Sequence, residues 1–376
     1  MIYELIIILL IFLGISFTIN KKDIVSPSFI FCASFVFCNM WALIYKDKWD
    51  LNIKLITFMV IAGGVLEFIL VSLFIQVFFS ITKGNKYKTE KVKLQKIEID
   101  NWKDIICLIF CAFSIIYTIL SVTNAVNGSI IHFTAAISKY RNLTLFHNKI
   151  IPLPRLVTYS RIITNSLVYW YIYVIINNYL IEKKINLIQI LIIILGAVSN
   201  MTLGGRGGAV NMALAAVPTI YLLLNKRNGF NTGRVLKFKT ILIICLLGMI
   251  FLMTFQQTAR LLGRKTNHDP MYYLAIYCGA EIKNLDIFLR ENERIIRNQD
   301  DIWGSQTFFN MIKWIGPKLG DKDKNYNYQL DLPFRSVNKL SLGNVYTTFY
   351  PYIYDFRISR SNNISSNYGY NISNNI

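Results

Sequence analysis

Long apolar runs separated by short polar segments fill the first two thirds of the chain. An α-helix rises about 1.5 Å per residue, so about 20 apolar residues cross a hydrocarbon core of about 30 Å. The pattern contains eight such runs, at 2–19, 27–45, 54–82, 104–126, 157–181, 187–203, 209–225 and 240–258. It therefore predicts an all-α polytopic integral membrane protein with eight transmembrane helices.

A glycine-rich turn is the only connection between the sixth and seventh runs, with the sequence Gly204-Gly205-Arg206-Gly207-Gly208. A single helix over both runs would be about 58 Å long at about 1.5 Å per residue, so the chain must fold back at the glycines. An arginine at bilayer depth is costly unless it meets water or an anion, and glycines let a ligand approach closely. Arg206, flanked by Gly205 and Gly207, is thus a candidate anion ligand. A tight turn with one interfacial arginine is the alternative.

Composition agrees with the membrane class. The chain has 376 residues, of which 54% are hydrophobic and only 16% charged, whereas a soluble domain carries about 25% charge. Its six cysteines lie mostly within apolar runs, without histidine or carboxylate at ligand spacing, so no metal site is predicted. No phosphate-binding loop or Rossmann glycine pattern occurs, so no nucleotide cofactor is predicted either.

Basic residues are distributed unequally between alternate connections of the predicted spans. One set contains 16 Lys and Arg, and the other contains 7 in nearly the same length. The basic set comprises 20–26, 83–103, 182–186 and 226–239, and the other comprises 46–53, 127–156 and 204–208. Because cytoplasmic loops carry the excess of positive charge, the N-terminus, the glycine turn and the segment after 258 are predicted to be external. The formal charge of +19 then reflects orientation, and no nucleic-acid partner is predicted.

The chain divides into three parts by these criteria. Residues 1–258 are predicted to form a helix bundle with an external loop at 127–156, and 259–356 a large external loop region. Residues 357–376 are an Asn- and Ser-rich tail that can build neither a core nor a span. Within the large loop, apolar spacing over 272–292 predicts a helix on the membrane surface. Long loops are usually functional, so the chemistry is expected on the external face.

Four arginines are predicted to lie at the external face or the membrane edge, namely Arg141, Arg206, Arg260 and Arg264. Guanidinium groups bind phosphate oxygens in bidentate pairs, and several together neutralise a diphosphate without a metal. Each arginine alone is also explained as a solvated or headgroup-bound charge. As a set, they predict a diphosphate site.

His268 is the candidate general base, because its imidazole adjoins the carboxylate of Asp269. An ordinary exposed loop pair is the alternative. Glu281, Asp286 and Asp355 are further candidate bases. For these three carboxylates a solvated or helix-surface position is the alternative.

Five short motifs, in this order along the chain, carry a family resemblance: Tyr140-Arg141-Asn142, Gly204-Gly205-Arg206-Gly207, Gly304-Ser305-Gln306-Thr307-Phe308, Asn344-Val345-Tyr346-Thr347 and Tyr354-Asp355-Phe356. Over about residues 1–356 the chain resembles the bacterial oligosaccharide repeat-unit polymerases, which are O-antigen or capsule polymerases of the Wzy type. Each motif alone is short, and their order along a polytopic chain is the more specific feature.

The resemblance implies a metal-independent glycosyltransferase of the bacterial inner membrane, active at the periplasmic face and without a cofactor. Similar proteins move a growing glycan from undecaprenyl diphosphate onto an incoming lipid-linked repeat unit. Expected partners are these lipid-linked oligosaccharides, the bilayer, a chain-length regulator and a flippase.

The same resemblance suggests roles for individual residues. Arg206, with Arg260 or Arg264, would bind diphosphate, and Arg141 would assist with the second lipid-linked substrate. Tyr346 and Asp355 would contact the glycan.

The end of the chain departs from the family pattern. Family members have a glycine after the Asp-Phe pair and further spans, whereas Arg357 and the polar tail follow Phe356 here. A truncated or frameshifted member lacking its last spans is therefore expected. The alternatives are an O-antigen ligase and, from another class, a lipid-linked oligosaccharide flippase or other transporter. A flippase should carry more intramembrane charge than Glu67, the clearest case here.

Overall fold

The protein consists of two compact units, each assembled from separate stretches of sequence. Unit 1 contains residues 1–16, 30–73 and the chain from 271 onward, and unit 2 contains 17–29 and 74–270. The computed structural model describes residues 1–83, 94–145, 151–205, 207–227, 269–291, 304–319 and 332–356. The predicted span at 240–258 and the tail lie outside these ranges.

Helices make up most of the described chain. The first part contains α1 (Ile2–Ile19), α2 (Pro27–Ile44), α3 (Leu55–Lys83), α4 (Asn101–Ala125), a 3₁₀ turn (Ile130–His132), α5 (Phe133–Leu145), α6 (Arg155–Glu182), α7 (Leu187–Met201) and α8 (Gly207–Arg227). The later part contains α9 (Pro270–Cys278), α10 (Ala280–Glu291), α11 (Phe309–Leu319), β1 (Arg335–Val337), β2 (Leu340–Gly343) and α12 (Phe349–Phe356). The strands form one antiparallel hairpin, which the all-α prediction did not include.

Four of these helices are long and apolar enough to cross a membrane. They are Ile2–Ile19, Pro27–Ile44, Leu55–Thr82 and Asn101–Ala125, and Leu187–Met201 is a shorter apolar helix. Large apolar side chains point outward from them, such as Phe74 at 70% exposure and Ile81 at 76%. Water would disfavour so much exposed apolar surface, whereas lipid tails accommodate it. The membrane class is supported at this level, while the number of eight spans remains a prediction.

Local chemistry explains several helix ends. Asn186 caps α7, since its side-chain oxygen accepts a hydrogen bond from the Ile188 backbone N–H at 2.9 Å. The helix α6 follows Pro154 directly, as expected from proline's fixed φ and missing N–H. It ends at Glu182, and the next residue, Lys183, adopts a left-handed φ of 58°.

Unit 2 is built around a bundle of α4, α6, α7 and α8. Its apolar core joins Cys111 of α4, Tyr171 of α6 and Ile192 of α7. A second cluster joins Val168 and Ile172 of α6 to Met212 of α8. These contacts fix four helices whose connections carry the candidate site residues.

A buried carboxylate ties three of the helices together at one end of unit 2. Asp104 in the first turn of α4 is fully buried. It accepts hydrogen bonds from the Tyr171 hydroxyl at 2.7 Å, the Gln189 amide at 3.0 Å and the Asn186 amide at 3.3 Å. A buried carboxylate is tolerated when donors of this kind surround it. Asp104 therefore fixes the relative positions of α4, α6 and α7.

The segment predicted as one surface helix over 272–292 forms two helices. The break lies at Gly279, where a Cβ would stand 2.8 Å from the Ala42 backbone nitrogen of α2. Only glycine permits this close approach of two backbones. The second helix, α10, buries eight residues in unit 1 instead of presenting one exposed face, namely Ala280, Ile282, Lys283, Asn284, Leu285, Asp286, Phe288 and Leu289. The helical character of this segment was predicted correctly, but its division into two helices and the burial of the second helix were not.

The loop before α3 and the helix α10 are joined by Asp286. This fully buried carboxylate accepts hydrogen bonds from the Thr57 hydroxyl at 2.7 Å and the Lys54 backbone N–H at 3.0 Å. Arg290 forms an ion pair with it at 2.5 Å. Lys283 donates to the Asp50 carbonyl at 2.5 Å, and burial lowers the pKa of Lys283. Polar contacts thus anchor α10 on the connection between α2 and α3.

The predicted orientation can be tested at two exposed positions at opposite ends of unit 2. Ser129 follows α4, whereas Lys184 lies between α6 and α7, near the Asp104 end. In a background without the native cysteines, Ser129→Cys should react in intact cells with a charged thiol reagent that does not cross the membrane. Lys184→Cys should react only after permeabilisation, because positively charged connections stay in the cytoplasm. The reverse labelling pattern would overturn the orientation.

Candidate functional site

The structure describes only part of the residue set predicted from sequence. Arg141, Gly205, Gly207, Tyr346 and Asp355 lie within the described residues. Arg206, Arg260, Arg264 and His268 lie outside them, and their roles remain predictions. Arg141 and the two glycines belong to unit 2, whereas Tyr346 and Asp355 belong to unit 1.

The glycine turn in unit 2 packs against α5. Gly204 has a φ of 78°, which favours glycine, and its N–H closes the end of α7 on the Met201 carbonyl at 2.8 Å. A Cβ at this position would lie 2.8 Å from Arg141 Cδ and 3.4 Å from Ile137 Cγ2. The turn is therefore shaped to receive the aliphatic stem of Arg141. The structure brings together two motifs that lie about sixty positions apart in the sequence.

The first turn of α8 begins at Gly207, directly after Arg206. The α-carbon of Gly208 lies against the side-chain oxygen of Asn200 on α7, where a Cβ would not fit. Asn200 in turn donates a hydrogen bond to the Asn165 side chain of α6 at 2.8 Å. The N-terminal end of α8 is thus held on α7 and α6. Helix N-termini offer free N–H groups and a partial positive charge to anions.

Tyr140, in the same motif as Arg141, contacts the segment that leads into α6. Its hydroxyl donates a hydrogen bond at 3.3 Å to the carbonyl of Ile151, in the segment before α6. Burial raises the pKa of Tyr140, and the positive charge of Arg161 partly opposes that rise. Tyr140 and Arg141 therefore connect α5 to both α6 and the glycine turn.

Three residues of this region escaped the sequence argument: Arg161, Asn165 and Asn200. Two of them, Arg161 and Asn165, are recognisable in the sequence as polar residues spaced four apart in an otherwise apolar run. Such spacing places both side chains on one helix face. A single arginine near the start of a span was more simply explained by the membrane interface.

In unit 1, Asp355 joins two of the motifs that carry the family resemblance. Its carboxylate accepts hydrogen bonds from the Thr307 backbone N–H at 2.6 Å and the Gln306 backbone N–H at 3.3 Å. Gly304 has a φ of 79°. The ring centroids of Phe308 and Phe356 lie 6.4 Å apart, with one ring edge facing the other ring. The 304–308 segment and the end of α12 thus form one folded structure. This gives Asp355 a structural task, and a direct glycan contact remains a prediction.

Tyr346 is half-buried and lies over the start of α12. Its ring centroid is 4.2 Å from that of Tyr350, and its hydroxyl donates to the Pro333 carbonyl at 2.9 Å. Arg335 donates to the same hydroxyl at 3.2 Å. These contacts orient the ring firmly, as a sugar-stacking platform requires.

Two of the alternative bases predicted from sequence, Glu281 and Asp286, have polar partners within unit 1. Asp286 holds the anchoring contacts with Thr57, Lys54 and Arg290 described above. Burial raises the pKa of Glu281, and a hydrogen bond from the Cys38 thiol partly opposes that rise. Both carboxylates are explained by packing, so neither replaces His268 as the candidate base.

No protein-family model, curated protein or solved structure matches the chain. The class that the fold defines is a helical protein with several helices able to cross a membrane. A finer assignment rests on the motifs and on the site geometry.

Proposed function

We propose that the chain polymerises undecaprenyl-diphosphate-linked oligosaccharide repeat units into O-antigen or capsular polysaccharide. The reaction would take place at the periplasmic face of the bacterial inner membrane. One observation carries the proposal, namely the packing of Arg141 against Gly204 in the turn that contains Arg206. This packing supports a shared site for two arginines that are distant in sequence.

The chemistry requires charge stabilisation more than a reactive group. An acceptor hydroxyl attacks the anomeric carbon of the donor glycan, the bond from that carbon to the diphosphate oxygen breaks, and the hydroxyl proton passes to a base. Guanidinium groups placed at the diphosphate stabilise the negative charge that develops on the leaving group. Holding the two lipid-linked substrates together supplies the remaining rate enhancement.

The N-terminal end of α8 suits this role as well. Gly205 and Gly207 flank Arg206 and carry no side chains, so a diphosphate can approach their backbone. Asn200 and Asn165 hold that end of α8 in place. A site that is organised before the substrate arrives stabilises the transition state without further rearrangement.

Deletion of the gene tests the proposal. Cells without it should lose long glycan chains and keep a single repeat unit attached to the acceptor, since transfer of one unit does not require polymerisation. Electrophoresis of the extracted glycan, followed by complementation with the full chain, measures this. Loss of every transferred unit, restored by complementation, would indicate a ligase. Accumulation of lipid-linked units on the cytoplasmic side would indicate a flippase.

A further inference from the structure

Arg161 lies in the second turn of α6, and one N–H of its guanidinium is buried without a hydrogen-bond partner among the described residues. Its Nε is shielded from solvent and donates no hydrogen bond to any described residue. Among the described residues, no carboxylate forms an ion pair with Arg161. The titratable group that interacts with its charge is the hydroxyl of Tyr140. A shielded, unsatisfied arginine N–H costs free energy unless an acceptor reaches it. Because the guanidinium is positively charged, an anion is the acceptor that suits this N–H best.

The packing of α6 on α7 places Arg161 toward the end of the bundle at which α7 ends. The helices α6 and α7 run antiparallel, with Val168 against Gly196 and Asn165 bonded to Asn200. Arg161 lies one turn before Asn165 on α6, and Asn200 lies in the last turn of α7, just before Gly204. Gly204 is the residue on which the stem of Arg141 packs. Arg161 and Arg141 therefore lie on two different helices at the same end of unit 2.

A lipid-facing position does not explain Arg161. Its helix face is shared with Asn165, which is bonded into the bundle through Asn200. Arg155, six residues earlier on the same helix, is exposed and lies about 240° away around the helix axis at about 100° per residue. An arginine that reaches headgroups should resemble Arg155, with its nitrogen atoms in contact with solvent.

We infer that Arg161 is a binding residue of the diphosphate site, at the same end of unit 2 as Gly204, and contacts the diphosphate of the lipid-linked donor. This inference rests on the proposed function for the identity of the donor. When the glycan leaves, its diphosphate gains negative charge. A guanidinium held at that group then stabilises the leaving group more than it stabilises the intact donor.

Binding of polyprenyl diphosphate to the purified full chain in lipid nanodiscs tests the inference without any need for activity. Arg161→Gln should raise the Kd for undecaprenyl diphosphate by about tenfold or more, because a charge-assisted hydrogen bond is lost. Arg155→Gln removes the same charge from an exposed position of the same helix and should leave the Kd unchanged. Arg161→Lys keeps the charge without the fork and should lie in between.

Three competitors identify the source of the anion. Undecaprenyl monophosphate should bind more weakly than the diphosphate, and phosphatidylglycerol and inorganic pyrophosphate should compete poorly. If phosphatidylglycerol competes as well as undecaprenyl diphosphate, the site is a general headgroup site and the inference fails. If Arg161→Gln does not accumulate, the Lys variant decides, and a wild-type Kd in that variant also overturns the inference.

The outcomes for the two proposals are separate. An unchanged Kd in Arg161→Gln removes Arg161 from the site even if the chain polymerises glycan. A raised Kd in Arg161→Gln supports the inference even if gene deletion leaves the glycan ladder intact, in which case only the proposed function fails.

Discussion

Cells whose only copy of the chain carries Arg141→Met should make less than about one tenth of the normal long-chain glycan, since a charge-assisted hydrogen bond contributes about 1.5–3 kcal/mol. Methionine keeps an unbranched apolar stem against Gly204 while it removes the guanidinium. The amount of chain in the membrane should therefore stay the same. Electrophoresis of the glycan and immunoblotting of the chain measure both quantities.

Two further variants distinguish charge from packing at this position. Arg141→Lys should restore part of the polymer, because it returns the charge but not the bidentate geometry. Arg227→Met removes an exposed arginine at the end of α8 and should leave the ladder normal. A normal ladder in Arg141→Met would remove Arg141 from the site, and an equal loss in Arg227→Met would point to net charge instead.

Asp104→Ala should produce the largest loss of stability. The change leaves the Tyr171 hydroxyl and the amides of Gln189 and Asn186 without their acceptor. Each unsatisfied buried donor costs roughly 1–3 kcal/mol, so the free energy of unfolding should fall by at least about 3 kcal/mol. Thermal unfolding of the detergent-solubilised protein should show a Tm lower by about 5 °C or more.

Asp100→Ala is the matched control, because it removes a carboxylate one turn earlier. Asp100 is exposed and forms an ion pair with Lys103 at 2.7 Å. Exposed pairs contribute about 0–1 kcal/mol, so its Tm should stay close to that of the native chain. Asp104→Asn retains one acceptor oxygen and should fall between the two. Equal Tm values for Asp104→Ala and Asp100→Ala would contradict the proposed structural role of Asp104.

Apolar run length predicted the helices well and their packing poorly. The predicted runs 2–19 and 27–45 correspond to Ile2–Ile19 and Pro27–Ile44, because length and hydropathy are local properties of the sequence. The break at Gly279 was not predicted, since it arises from contact with the distant Ala42. Burial of α10 likewise depends on partners more than 200 positions away, such as Thr57.

In the candidate site too, the local features could be predicted from the sequence and the long-range contacts could not. The glycines around Arg206 and the Tyr140-Arg141 pair were recognisable because their residue types suit anion binding by themselves. Their contact through Gly204 required the fold. The carboxylate of Asp355 accepts the backbone N–H groups of Gln306 and Thr307, a contact that the sequence did not indicate, and its predicted glycan contact remains a prediction. A sequence motif marks such a residue without revealing whether it faces a substrate or the protein.

The sequence segments that make up each unit determine which unit can be completed first during synthesis. Nearly all of unit 2 comes from the continuous stretch 74–270, whereas unit 1 needs residues from both ends of the chain. At about 5–20 residues per second, the ribosome makes Asp286 at least about 10 s after Thr57, its partner 229 positions earlier. The helices α1 to α3 are therefore made well before α10, their partner in unit 1. A chain that stalls before Asp286 would contain these helices without the carboxylate that binds Thr57 and Lys54.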